Sequence, residues 1–97
     1  MSELGPGTRL RLSPKTRLRQ DAQSGKAMLV FPESVLVLNG TGGAIAELCD
    51  GRTIEEIVST LAARFGAPAA QIRTDVTTYV DRLVERGLLV LEHGEQG

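Results

Sequence analysis

Residues 38–57, L-N-G-T-G-G-A-I-A-E-L-C-D-G-R-T-I-E-E-I, leave the chain little conformational choice. Asn39 and Thr41 are candidate helix N-caps, because a short side-chain oxygen can accept from an orphan amide of the first turn. Ala44, Ile45, Leu48 and Cys49 recur at helical spacing, and Asp50-Gly51 offers an ending in which glycine takes positive φ without a Cβ clash. Thr53-Ile54-Glu55-Glu56 then has the form of a capping box, the Thr53 hydroxyl accepting from the Glu56 amide and the Glu56 carboxylate from the Thr53 amide. The pattern predicts a short helix that stops at Gly51 and a second that starts after Thr53. Helices joined by so few residues must turn sharply to bury their apolar faces together, and the flanking segments must complete that core. Leu48, Cys49, Ile54, Ile57 and Leu61 are expected to face it.

On the N-terminal side, Arg9-Leu10-Arg11-Leu12 and Thr16-Arg17-Leu18-Arg19-Gln20 alternate with period two, leucines to one face and arginines to the other. After the turn cluster Asp21-Ala22-Gln23-Ser24-Gly25, residues 27–31 read as a strand that forms a hairpin with residues 16–20. Pro32-Glu33 makes a tight turn, and the β-branched run 34–38 supplies a third strand that leads into the first helix. A small three-stranded antiparallel sheet results, of the kind that keeps one wet face.

On the C-terminal side, Ile54, Ile57, Val58, Leu61, Ala62 and Phe65 form an amphipathic stripe ended by Gly66. Pro68 suits the first turn of a third and longest helix, where its missing N–H is no loss; Ile72, Val76, Tyr79, Val80, Leu83 and Val84 mark one face of it up to Gly87. Leu88-Leu89-Val90-Leu91 reads as a final strand or an extended segment on the helices. The predicted fold class is α+β and winged helix-turn-helix-like, a three-stranded N-terminal sheet followed by a three-helix bundle. Residues 1–8 are expected to be a disordered leader, 9–92 one domain and 93–97 a frayed tail.

With 97 residues and 41% apolar content, one domain is the natural size. A single cysteine excludes an internal disulfide, which suits a reducing cytoplasm, and Cys49 on an apolar helix side reads as a core residue. Residues 1–27 carry six Lys/Arg against Glu3 and Asp21, whereas residues 28–97 carry five Arg against ten acids, so the parts are about +4 and −5. Phe31, Phe65 and Tyr79 are the only aromatic residues, so no basic stripe interleaved with aromatics favours nucleic acid. No apolar run approaches the roughly 20 residues of a bilayer span, and no signal pattern opens the chain, so no membrane role and a cytoplasmic location are expected.

Catalytic chemistry finds no foothold. His93 is the sole histidine and sits in a polar tail, G-T-G-G lacks the Lys-Ser/Thr of a phosphate loop, and Glu55-Glu56 and Asp81-Glu85 are explained by a cap and a solvated helix face. No enzyme activity, cofactor or bound metal is expected. The element order is also that of a winged-helix DNA reader, but on the third helix Arg73, Arg82 and Arg86 are balanced by Asp75, Asp81 and Glu85.

The L-V-F-P-E turn at residues 29–33, Leu38-Asn39, residues 48–51, Thr53 with Glu56 and Ile57, and Asp75, Val76, Leu83, Gly87 and Leu88 resemble the family of protein D of pyrroloquinoline quinone (PQQ) biosynthesis. The resemblance covers roughly residues 9–90. It implies a small winged-helix peptide chaperone, also called a RiPP recognition element, that binds the ribosomal precursor peptide and presents it to a radical SAM enzyme. Physical reading of the strands reaches a compatible place: three short strands leave an edge of unpaired N–H and C=O groups, to which an extended peptide can add. The expected peptide-binding residues are Val35, Leu36, Val37 and Leu38 on the third strand and Asp75, Tyr79, Arg82 and Arg86 on one flank of the third helix, Val80 and Val84 marking the other. A homodimer through the open edge and an accessory subunit that only docks to a peptide-modifying enzyme are the other readings of the same surface.

Overall fold

The computed structural model describes Gly5 and residues 7–92. The elements among them are β1 (Arg9–Leu12), β2 (Arg17–Gln20), β3 (Ala27–Phe31), β4 (Ser34–Val37), α1 (Gly40–Glu47), β5 (Asp50–Thr53), α2 (Ile54–Phe65), α3 (Ala69–Glu85) and β6 (Leu89–Glu92). The fold is α+β and winged-helix-like. Strands β2, β3 and β4 form the expected meander, with Leu18 opposite Leu29 and Leu29 opposite Leu36 on the inner face. Arg17, Val30 and Val35 make one row on the outer face, and Arg19, Met28 and Val37 the next. The period of two thus sends leucines to the core and arginines to water.

The local signals around α1 and α2 work as their chemistry dictates. Asn39 caps α1 by accepting from the Gly42 amide at 2.6 Å. Thr53 and Glu56 close the capping box at 3.1 and 2.8 Å, and Gly66 ends α2 in the left-handed region at φ 63°. Leu48, Cys49, Ile54, Ile57 and Leu61 are all buried, together with Leu10, Leu29, Val76, Val80 and Leu83. The backbone amide of Thr53 holds the Glu56 carboxyl below the usual glutamate range. A depressed carboxylate stabilises the fold above its ordinary pKa, and that contribution disappears as pH falls through the lowered value. Glu56→Gln keeps an acceptor at this position but cannot titrate. Its melting temperature should therefore fall less steeply than the parent's below pH 4.5, the ordinary value; equal slopes would assign the acid loss to other carboxylates.

Four features differ from the sequence reading. First, α1 stops at Glu47, and residues expected to be its end form β5, which pairs with β1 across a bulge that sets Arg9 opposite Thr53 and Arg11 opposite Asp50. Gly51 lies in that bulge at φ 107°, a conformation that side chains with a Cβ rarely adopt. Second, β1 is not part of the meander; it is the central strand of a separate sheet, β5-β1-β6. Third, Pro68 is the N-cap of α3 rather than a residue of its first turn; its carbonyl accepts from Gln71 and Ile72, both at 3.1 Å. Fourth, Phe65, the last member of the α2 stripe, is 45% exposed, because it lies on the last turn of the helix, at the mouth of an open cavity.

Of the expected leader, most residues lie outside the described ones, as does the whole expected tail with His93. Thr8 belongs to the fold: it is buried, and its carbonyl accepts from the Ile54 amide at 2.9 Å.

Candidate functional site

The β3–β4 pairing determines what the β4 edge displays. The Leu38 amide donates to the Ala27 carbonyl at 2.9 Å, and directly opposed residues of an antiparallel pair alternate between bonded and non-bonded pairs. Stepping back from Leu38, Leu36 opposite Leu29 is therefore a bonded pair, whereas Val37 opposite Met28 and Val35 opposite Val30 are not. The N–H and C=O groups of Val35 and Val37 consequently point away from the sheet, and no described strand pairs with them. Leu36 and Leu38 turn their amides inward, and the Leu38 side chain is buried. The expected strand residues thus divide into two that present backbone and two that anchor it.

The edge's side chains distinguish it from the opposite edge of the same sheet. On β4 the outward valines are 48% and 58% exposed, Val35 and Val37 respectively. On β2 the exposed side chains are Arg17, Arg19 and Gln20, and the two arginines are of the charged kind that discourages strand addition.

Helix α3 brings the second half of the expected site alongside. A cavity of about 210 Å³ between the first turn of α1 and α3 is walled by Asn39, Thr41, Gly42, Asp75, Tyr79 and Arg82 among others. Another, of about 360 Å³, lies at the other end of β4, with Phe31, Pro32, Glu33 and Arg86 in its wall. Asp75, Tyr79 and Arg82 are thus gathered at the Asn39 end, and Arg86, the C-cap of α3 one turn beyond Arg82, lines the cavity at the Pro32-Glu33 end. A larger cavity of about 500 Å³, lined by Leu18, Ala27, Leu38, Ala44 and Phe65 among others, includes no residue of α3. Val80 is fully buried and Val84 half-buried, so the flank that carries Tyr79 is the open one.

Tyr79 owes its place to a glycine. A Cβ added at Gly42 would fall 2.6 Å from Tyr79 Cζ and closer still to the hydroxyl, so only glycine lets the ring lie against α1. Burial pushes the Tyr79 phenol above its ordinary pKa, opposed by the nearby guanidiniums of Arg82 and Arg86. The phenol therefore remains a hydrogen-bond donor at neutral pH. Gly42, Thr41 and Thr78 are site residues that the sequence reading did not assign. Gly42 left a signal, since a glycine inside a helix costs about 1 kcal/mol relative to alanine and marks close approach.

Elsewhere the chemistry is structural. Cys49 donates its thiol to the Ile45 carbonyl at 3.3 Å, and burial, helped by Asp50, pushes it up to about 12. Among the described residues no group of three or more His, Cys, Asp and Glu is arranged to hold a metal ion, and no helix is long and apolar enough to cross a membrane. Arg73, one of three α3 arginines that a DNA reader would use, is engaged by the Glu55 carboxylate at 2.8 Å.

Comparison with known proteins gives a consistent picture. Residues 26–89 match the family described as coenzyme PQQ synthesis protein D, PqqD. A PqqA binding protein of Xanthomonas axonopodis pv. citri (strain 306) is 37% identical over 92 residues, spanning 94% of this chain and 100% of that one. A PqqA binding protein of Rhizobium meliloti (strain 1021) is 32% identical over 81 residues, spanning 82% of this chain and 83% of its own. Among solved structures, the solution NMR structure of the PqqD truncation of Methylobacterium extorquens PqqCD, described as a functional and stand-alone RiPP recognition element, superposes with a TM-score of 0.78 at 27% identity. The match covers 90% of this chain and 94% of that one.

Proposed function

The chain belongs to the PqqD family, and from that premise we propose that it is a peptide chaperone which takes a ribosomal precursor peptide as an added strand along β4. It has no catalytic role of its own in this reading. It holds the peptide extended and presents it to the radical SAM enzyme of the PQQ pathway, in the cytoplasm where the peptide is made. The single observation that carries the reading is the outward-facing backbone of Val35 and Val37, flanked at the Asn39 end by a cavity that α3 helps to wall and at the Pro32-Glu33 end by one that includes Arg86, the C-cap of α3.

Strand addition uses main-chain hydrogen bonds for affinity and flanking side chains for selection. Here the peptide's backbone pairs with Val35 and Val37, while Leu36 and Leu38 root the strand in the core. Its side chains on one face meet Asp75, Tyr79, Arg82 and Arg86. Self-pairing through the same edge is the competing use, and peptide and a second copy would exclude one another.

An amide-shift titration with the precursor peptide encoded nearest this gene tests the reading. Saturable shifts should concentrate in residues 34–39 and 75–86. Shifts confined to α1 and α2, or none, would leave only a docking role toward the enzyme.

A further inference from the structure

We propose that Arg82 and Arg86, with the Tyr79 hydroxyl, form a carboxylate-reading site on the flank of α3 that carries Tyr79, so that the peptide bound along β4 is chosen for an acidic side chain directed at the helix. This inference rests on the strand-addition reading and adds to it which chemistry the helix flank selects.

Three observations carry it. Three arginines of the fold pair with carboxylates within it: Arg11 with Glu92 at 3.1 Å, Arg52 with Asp50 at 3.4 Å and Arg73 with Glu55 at 2.8 Å. Neither Arg82 nor Arg86 has a carboxylate partner within 4.0 Å among the described residues, and both are exposed. They stand one helical turn apart, three and seven residues after Tyr79, with Arg82 in the same cavity wall as Tyr79. Finally, a guanidinium has donors and no acceptor, and the phenol can donate beside it, so the three groups together present donors from which a carboxylate can accept. Arginine pairs with a carboxylate through two parallel hydrogen bonds, which gives geometric selection as well as attraction.

The rest of the flank narrows the ligand to a peptide with isolated charges. Asp75 shares the cavity with Tyr79 and Arg82 and stands seven residues before Arg82, about 10 Å along the helix axis. A phosphate backbone laid along α3 would bring like charge onto Asp75. An extended peptide, at about 3.3 Å per residue, can place an acid at the arginines and a neutral or basic residue about three positions away.

The test uses the full chain and the precursor peptide, with each Asp and Glu of the peptide replaced singly by its amide and the C-terminus amidated in a separate arm. Melting curves of Arg82→Gln, Arg86→Gln and the double variant first establish that each is folded. One acid replacement is expected to weaken binding about tenfold or more, and to have no further effect in the double variant. Arg82→Lys with Arg86→Lys should recover part of the affinity by charge alone. A loss produced by amidation instead supports the carboxylate site and assigns it to the peptide's terminus. If the peptide shifts the β4 amides but neither peptide neutralisation nor the double variant changes affinity more than twofold, the carboxylate site is overturned and strand addition stands. If no peptide shifts β4, both fall together.

Discussion

Val37→Pro should leave the domain folded and weaken peptide binding about ten- to hundredfold, whereas Leu36→Pro, one residue away, should unfold the hairpin. The difference follows from the alternation set by the Leu38-to-Ala27 hydrogen bond. Val37 points its N–H away from the sheet, so proline there removes a donor only from the incoming strand; an unsatisfied peptide carbonyl costs about 1–3 kcal/mol. Leu36 faces Leu29 in a bonded pair, and proline at that position removes a ladder bond and forces its ring toward β3, at about 3 kcal/mol or more. Thermal melts and peptide titrations of both variants separate the two outcomes. Parent-like binding by Val37→Pro would mean that the edge is not the docking line; a parent-like melt for Leu36→Pro would mean that the register is wrong.

Ile57→Ala should cost about 2–5 kcal/mol, a large part of the roughly 5–10 kcal/mol available to a domain of this size. Ile57 is fully buried on the first turns of α2, among core residues drawn from both sheets and all three helices. With such a residue shortened, the neighbours cannot all close in, and the loss combines transfer free energy with a cavity. Phe65→Ala is the control, since that ring is 45% exposed at the far end of the same stripe and should cost much less. A melt of Ile57→Ala within a degree or two of the parent would show that the phase of α2 is misassigned.

The elements legible in the sequence are those whose cause is local. Asn39, the Thr53–Glu56 box and Gly66 state where helices begin and end because their partners lie three or four residues away. The meander was legible for the same reason, its turns being Pro32-Glu33 and the Asp21 cluster. By contrast β5 was hidden, because Asp50, Gly51, Arg52 and Thr53 have no strand-like pattern and are held extended by a strand some forty residues earlier. The candidate site divides along the same line. That Asp75, Tyr79, Arg82 and Arg86 share a flank is a property of helical spacing, but which flank opens to the edge depends on Val80 being buried by other elements. Likewise, which two β4 amides face outward depends on a register that the alternating valines and leucines alone leave undetermined.

The central position of β1 also separates the fold by sequence distance. Arg11 reaches Asp50 and Glu92, the latter 81 residues away, so the β5-β1-β6 clasp forms only by closing a loop of nearly the whole chain. The entropy of such closure rises with loop length, and non-local pairing is the slow part of folding. The β4 edge is built by neighbours instead, from two hairpins whose turns are a few residues long. The reading edge therefore belongs to the fast, low-contact-order part of the molecule, and the clasp that joins the two ends of the described fold belongs to the slow part.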